Sequence, residues 1–277
     1  MGQLTQKEFD LLRHLIKTRV GITLHPRKRA VLGRKMAGRL QTAGHSSFLG
    51  YIRHLSRPEG EGELRALINQ VTIDQTSFFR GDRQFELLRE RVLPALFSRR
   101  REGGAIRLWS AGCSSGQEPY SVAMLFQEAL RGMSPMDVKI LATDVDSESL
   151  KSAWRASYSS EGVADVPGYY FSKYFFRESG PQGPRYRIVD RVREKVVFRR
   201  LNLKDTPYPL RGPMDVILCR NVMIYFKAPL KKKIMAEFYR LLADDGYLCL
   251  GGSESLLGVD DRFVLVGQAV YQKRTRP

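Results

Sequence analysis

Gly112, Gly116 and, further along, Asp144 are the residues whose types and spacing best suit binding chemistry. Glycines permit positive φ and let a ligand lie against bare backbone, while the helix that follows Gly116 presents unpaired N–H groups. A carboxylate at the tip of a second strand can accept both hydroxyls of a ribose. Asp144 equally fits a helix N-cap, because Asp146, Ser147 and a helical stretch follow it, so at this level both roles stay open. The glycines do not follow G-x-G-x-x-G, which leaves a nicotinamide dinucleotide enzyme without its fingerprint.

The elements that must position these residues read as an α/β domain. Ile106, Leu108 and Trp109 make a short apolar strand, and Pro119 suits the first turn of the next helix. Val138 to Thr143 is the second strand, and together they open a Rossmann-like unit. Met214 to Cys219 is another buried strand, running into Arg220-Asn221-Val222-Met223-Ile224-Tyr225-Phe226. A helix from Leu230 to Leu242 should end near Gly246, followed by strands Tyr247 to Leu250 and Phe263 to Tyr271, close enough to pair antiparallel. Alternation at Tyr186, Ile188 and Val196 to Phe198, after the turn-rich Gly180 to Pro184, predicts a small antiparallel β insertion at about 171–201.

Ahead of that domain, residues 1–72 read as all-α. Thr5 and Glu8 form a capping box, Phe9, Leu12, Leu15 and Ile16 give a helical stripe, and Gly21 closes the helix. A second helix follows Pro26, with Leu32, Met36 and Leu40 on one side and Arg27, Lys28, Arg34, Lys35 and Arg39 on the neighbouring arc. Shorter helices are expected at Ser47 to Leu55 and Gly62 to Val71. No acidic residue stands between Asp10 and Glu59, and the whole chain carries a net charge of +17, which implies an anionic partner for the basic arc. The loop Asp74 to Arg80 joins the domains, with Phe78 and Phe79 read as interdomain packing and Arg80 as exposed or functional. A helix from Asp82 to Arg100 leads into the α/β domain.

With 277 residues, 43% hydrophobic, the chain can bury a large core and a smaller one. No apolar run reaches the ~20 residues of a membrane span, and the first residues lack a signal peptide's apolar core. Cys113, Cys219 and Cys249 are too widely spaced for a metal site and fit reduced thiols in a cytoplasm, with Cys113 a packing residue.

Four blocks in order, Thr76-Ser77-Phe78-Phe79-Arg80, Trp109-Ser110-Ala111 with Gly116-Gln117-Glu118-Pro119-Tyr120-Ser121, Thr143-Asp144-Val145-Asp146, and Cys219 to Phe226, resemble the CheR-type chemotaxis protein-glutamate O-methyltransferases. The resemblance implies a Rossmann-like class I methyltransferase sheet closed by a C-terminal antiparallel hairpin over residues 73–277, a small β insertion, and an all-α N-terminal domain for receptor docking. It implies transfer of a methyl group from S-adenosylmethionine, leaving S-adenosylhomocysteine, to glutamate side chains on the cytoplasmic helical domain of chemoreceptors. Asp74, Thr76, Arg80, Glu118, Asp144, Asn202, Leu203, Arg220 and Asn221 would line the cofactor site, Asp74 standing where Asn is expected. Glu118 suits the methionine ammonium, Asp144 the ribose and Asn202 the adenine edge. Arg80 and Tyr225 are the candidates for positioning the substrate carboxylate, with no metal.

Two rivals remain at this level. A nucleic-acid methyltransferase would account for the basic charge, but the chain lacks the Asp/Asn-Pro-Pro-Tyr element and a cysteine placed to attack a flipped base. A non-catalytic S-adenosylmethionine-binding regulator is disfavoured by the intact polar residues of all four blocks. The expectation is a cytoplasmic monomer with no membrane insertion and no specific nucleic-acid partner.

Overall fold

A computed structural model describes residues 3–72, 76–99, 104–134, 136–180, 183–256 and 260–274. The chain divides into two compact units, Met1–Gln75 with Tyr225–Leu230, and Thr76–Ile224 with Lys231–Pro277.

The first unit holds α1 (Gln6–Val20), α2 (Arg29–Thr42), α3 (Phe48–Leu55) and α4 (Glu61–Thr72). Helix α1 starts at a complete capping box between Thr5 and Glu8 and stops at Gly21, which takes φ 79°. These are the local signals that fix a helix at both ends. Ser47 caps α3 by accepting from the Gly50 N–H. Phe9, Leu12 and Ile16 of α1 and Leu32, Met36 and Leu40 of α2 are buried, as their spacing requires.

One residue of the basic arc departs from expectation. Arg39 forms a fork to both oxygens of Glu63 in α4, at 2.7 and 2.8 Å, and the Tyr51 hydroxyl donates to the same carboxylate. It is a half-buried structural ion pair rather than part of a free cationic face. The helix wheel placed Arg39 beside the apolar stripe, and a neighbouring helix covers that side. Arg27, Arg34 and Lys35 are exposed.

The second unit begins with a helical run, α5 (Asp82–Leu87), a π-helical turn (Leu88–Val92) and α6 (Leu93–Arg99). Strand β1 (Ala105–Ala111), α7 (Gln117–Ala129), β2 (Asp137–Asp144) and α8 (Ser147–Arg155) form the expected strand–helix alternation. There follow β3 (Ser157–Ser159), α9 (Gly168–Tyr174), β4 (Phe175–Gly180), β5 (Gly183–Ile188), α10 (Asp190–Arg193) and β6 (Val196–Arg200). The chain ends in β7 (Met214–Cys219), α11 (Ala228–Leu241), β8 (Leu242–Leu250), β9 (Phe263–Gly267) and β10 (Val270–Lys273). The main sheet has the order β6-β2-β1-β7-β8-β10-β9, parallel through β8 and antiparallel at β10 and β9. Its centre is buried and largely apolar; all six residues of β7 are buried, with Asp215 there accepting from Arg107 N–H at 2.7 Å.

The β insertion takes a different form from the one expected at 171–201. A three-stranded sheet, β3-β5-β4, spans Ser157 to Ile188, whereas Val196–Arg200 leaves it and pairs parallel with β2 as the edge of the main sheet. Ile140 and Ala142 of β2 offer that edge buried apolar neighbours. The final strand divides in two: Gln268 and Ala269 both adopt positive φ and make a two-residue hairpin turn after Gly267. Gly246 lies inside β8 rather than ending the preceding helix, at an irregularity in the pairing with β7. A Cβ there would meet Leu242 Cγ at 2.8 Å and the Met214 carbonyl at 3.0 Å. Phe78 and Phe79 pack inside this unit, Phe78 edge-on to Tyr158 and Phe175 and Phe79 against Phe85 and Tyr170. They are core residues rather than interdomain packing, and Arg80 is half-buried.

Candidate active site

Strands β1, β2 and β6 on one side and β7 and β8 on the other all deliver their carboxyl ends to the same edge of the sheet. Chain order reverses between the adjacent strands β1 and β7, and such a switch point leaves a crevice between diverging loops.

The loop after β1 is built from left-handed residues, Gly112 at φ 91°, Ser114 at 49° and Gly116 at 93°. The Thr143 carbonyl accepts from the N–H groups of Gly112 and Cys113, at 2.8 and 2.9 Å, tying the loop to β2. A Cβ on Gly112 would stand 2.5 Å from Val222 Cγ2, so glycine is what allows the loops after β1 and β7 to meet. Cys113 is buried, and desolvation pushes its thiol up, as suits packing rather than nucleophilic attack.

Asp144 closes the β2 end. Its two oxygens accept from the N–H groups of Ser114 (2.8 Å) and Asp146 (2.9 Å), and Leu201 N–H reaches the Asp144 carbonyl, bringing the Asn202 loop alongside. The cap of α8 is Asp146, which accepts from Glu148 and Ser149 N–H. The helix-cap reading of Asp144 is thereby corrected, and each carboxylate oxygen keeps lone pairs for further donors. Burial raises the Asp144 pKa, opposed by the two backbone donors.

Glu118, on the first turn of α7, accepts from Ser110 Oγ at 2.7 Å and faces Arg220 Nη1 at 3.4 Å. Burial raises its pKa, and Arg220 and Ser110 offset only part of that. A desolvated carboxylate with one loose cationic partner favours a second cation. Arg220 also donates to the Arg80 carbonyl, packs 5.5 Å over the Phe85 ring, and has room because Gly81 has no Cβ. Among the described residues its buried Nε has no partner. One guanidinium thus links the Arg80 loop, the Glu118 helix and its own loop after β7.

Three residues that sequence reasoning missed hold this arrangement. Glu254 is buried and accepts from the N–H groups of Asn221 (2.9 Å), Ile224 (3.2 Å) and Gly251 (2.6 Å), fixing Asn221 at φ 60°. Gln84 donates to the Leu250 and Gln268 carbonyls, and Ser121 Oγ accepts from Phe79 N–H. The sequence signals are the Gly-Gly-Ser-Glu run ending at Glu254, which follows a strand end, and the place of Ser121 at the end of the block that begins at Gly116.

The structure therefore brings together Arg80, Glu118, Arg220 and Asn221 around one centre, and Asp144 with the Asn202 loop beside the Gly112 turn. Asn202 accepts from Lys204 N–H, Leu203 is buried, and Thr76 is half-buried. Asp74 lies outside the described residues. Tyr225 clusters with the helical unit, where its carbonyl accepts from Thr23 N–H and Lys28 Nζ stands 5.8 Å over its ring. Lys28 and Tyr225, expected in separate roles, are neighbours.

Fold and site define a class: an open, doubly wound α/β domain with two partly buried carboxylates, Glu118 and Asp144, at the carboxyl edge of its sheet beside the switch point. Residues 74–272 match the family described as CheR methyltransferase, SAM binding domain, and residues 7–72 match CheR methyltransferase, all-alpha domain. The chain is 36% identical over 268 residues to the chemotaxis protein methyltransferase of Escherichia coli, covering 97% of this chain and 91% of that protein. It is 32% identical over 273 residues to the protein of that name from Borreliella burgdorferi, covering 98% and 95%. It is 34% identical over 267 residues to chemotaxis protein methyltransferase 2 of Pseudomonas aeruginosa, covering 96% and 93%. The chain belongs to the CheR methyltransferase family. It is a methyltransferase, and S-adenosylmethionine is its cofactor.

Proposed function

We propose that this enzyme esterifies glutamate side chains on the cytoplasmic helical domain of chemoreceptors, acting in the cytoplasm during sensory adaptation. The observation that carries this reading is the likeness to chemotaxis protein methyltransferases, which runs through both the all-α and the cofactor-binding regions. Residues 1–72 would serve as the docking domain and 73–277 as the transferase. Among the described residues no helix is long and apolar enough to cross a membrane.

The donor set fits the cofactor. Glu118 takes its ammonium, Asp144 its ribose hydroxyls and Asn202 its adenine edge, with Thr76, Leu203, Arg220 and Asn221 lining the remainder. Bound S-adenosylmethionine supplies a methyl on a sulfonium, which a carboxylate already ionised at neutral pH attacks in line without a general base. The protein's task is orientation. Arg80 and Tyr225 position the incoming carboxylate; an Arg80 contact that was too strong would stabilise the ground state and slow the attack. Arg27, Lys28, Arg34 and Lys35 meet the acidic receptor helices, while Arg39 is committed to Glu63.

Incubation with methyl-labelled S-adenosylmethionine and receptor-bearing membranes tests the proposal. Label released from receptor by mild base means a carboxyl methyl ester. Base-stable label, or label on nucleic acid alone, would overturn it.

A further inference from the structure

The helical unit carries a cationic cavity that cofactor binding and the basic arc of α2 leave unused. Asp10, Arg13, His14 and Lys17 share one stripe of α1, and together with Thr23, Leu24 and Lys227 they line a cavity of about 170 Å³. Arg13 is committed on one side, its Nη1 bonded to Asp10 at 2.9 Å and its guanidinium over the Phe9 ring. Among the described residues, Lys17 and Lys227 have no ion-pair partner, and Arg13 Nε and Thr23 Oγ1 are buried with no hydrogen bond. Buried polar atoms are normally paired, so two orphans on residues lining one cavity, beside two unpaired ammonium groups, ask for an acceptor.

We propose that this cavity is an anion site that takes a tetrahedral phosphate group. Three cations against the one Asp10 carboxylate leave an excess of two positive charges, which a dianion neutralises and a single carboxylate does not. Its oxygens can accept from both ammonium groups and from Arg13, with the Thr23 hydroxyl a further donor once it turns to the cavity. The cavity has room for a phosphate group and opens to solvent, so any larger remainder of the ligand can stay outside. The occupant is therefore inorganic phosphate or the phosphate end of an ester whose remainder stays outside. Binding would join α1 to the segment Tyr225–Leu230, whose Tyr225 carbonyl already accepts from Thr23 N–H.

The test uses the full chain with inorganic phosphate, followed by isothermal calorimetry and thermal unfolding, with chloride at matched ionic strength as the control. Saturable heat and a rise in melting temperature with phosphate but not chloride are expected. Lys17→Glu and Lys227→Glu, both at exposed positions, should each weaken phosphate at least about tenfold while leaving the protein folded. Thr23→Val, which keeps shape and removes the hydroxyl, should weaken it too. A glycerol 3-phosphate arm separates the sources: tighter binding than inorganic phosphate points to an ester, equal or weaker binding to the free ion. Equal effects of phosphate and chloride would overturn the proposal, as would undiminished phosphate binding in the charge-reversed variants or in Thr23→Val.

Discussion

Replacing Glu254 should unfasten the loop after β7 from a distance. Its carboxylate accepts three backbone N–H groups, Asn221 and Gly251 on one oxygen and Ile224 on the other. Leaving a buried donor unpaired costs ~1–3 kcal/mol, so three would sum to several; relaxation and entering water hold single substitutions near the ~4–5 kcal/mol ceiling. Glu254→Ala should therefore lose about 3–5 kcal/mol. Glu254→Gln separates the contributions. Its amide oxygen can take the place that serves Asn221 and Gly251, but its NH₂ then meets the Ile224 N–H donor to donor. One bond is lost, about 1–3 kcal/mol. Urea unfolding reads this as a lower midpoint at unchanged slope, and thermal unfolding as a drop of roughly 2–4 °C per kcal/mol for a domain of this size. Both variants should also bind S-adenosylmethionine more weakly, because Asn221 and Arg220 leave the same loop. A Glu254→Ala protein within about 0.5 kcal/mol of wild type would refute the reasoning.

Three other outcomes follow from the same geometry. Gly112→Ala should destabilise by about 2 kcal/mol or more, since it strains a residue at φ 91° and drives Cβ into Val222; adding Val222→Ala should recover the steric part only, and full recovery in a double-mutant cycle would show that backbone strain is negligible. Arg39→Glu should lose about 2–3 kcal/mol by setting a carboxylate against Glu63, whereas Arg27→Glu and Arg34→Glu should leave stability within ~0.5 kcal/mol yet lower receptor methylation at low salt; methylation at the wild-type rate in those two would remove the docking role. Affinity for S-adenosylmethionine should fall as pH drops through the raised pKa of Glu118, because protonation removes the partner of the ammonium, and Glu118→Gln should bind weakly with that dependence gone. The sign is opposite for stability: a carboxyl raised by folding binds its proton more tightly in the folded state, so its ionisation destabilises the unliganded protein as pH rises through that window.

What could be read from the sequence was local. The capping box at Thr5, the left-handed stop at Gly21, the strand–glycine–helix unit at 105–129 and the carboxylate at the tip of β2 are each specified by neighbouring residues. What could not be read depends on pairing across the chain. Val196–Arg200 looks like the next strand of a small sheet, and nothing in five residues says that β2 is its partner. Arg39 looks like its basic neighbours until Glu63, on another helix, takes its charge. Glu254 is one more polar residue in a glycine-rich turn until three distant N–H groups converge on it. Asp144 was ambiguous because Asp146 and Asp144 both precede the helix, and only the hydrogen bonds distinguish them.

Calorimetric titration of S-adenosylmethionine into wild type and Asp144→Ala tests whether Asp144 holds the cofactor. A loss of about 1.5–3 kcal/mol, the range for hydrogen bonds to a charged group, is expected in a variant that urea unfolding shows to be folded. Wild-type affinity in that folded variant would contradict it and reduce Asp144 to a brace for the Ser114 loop.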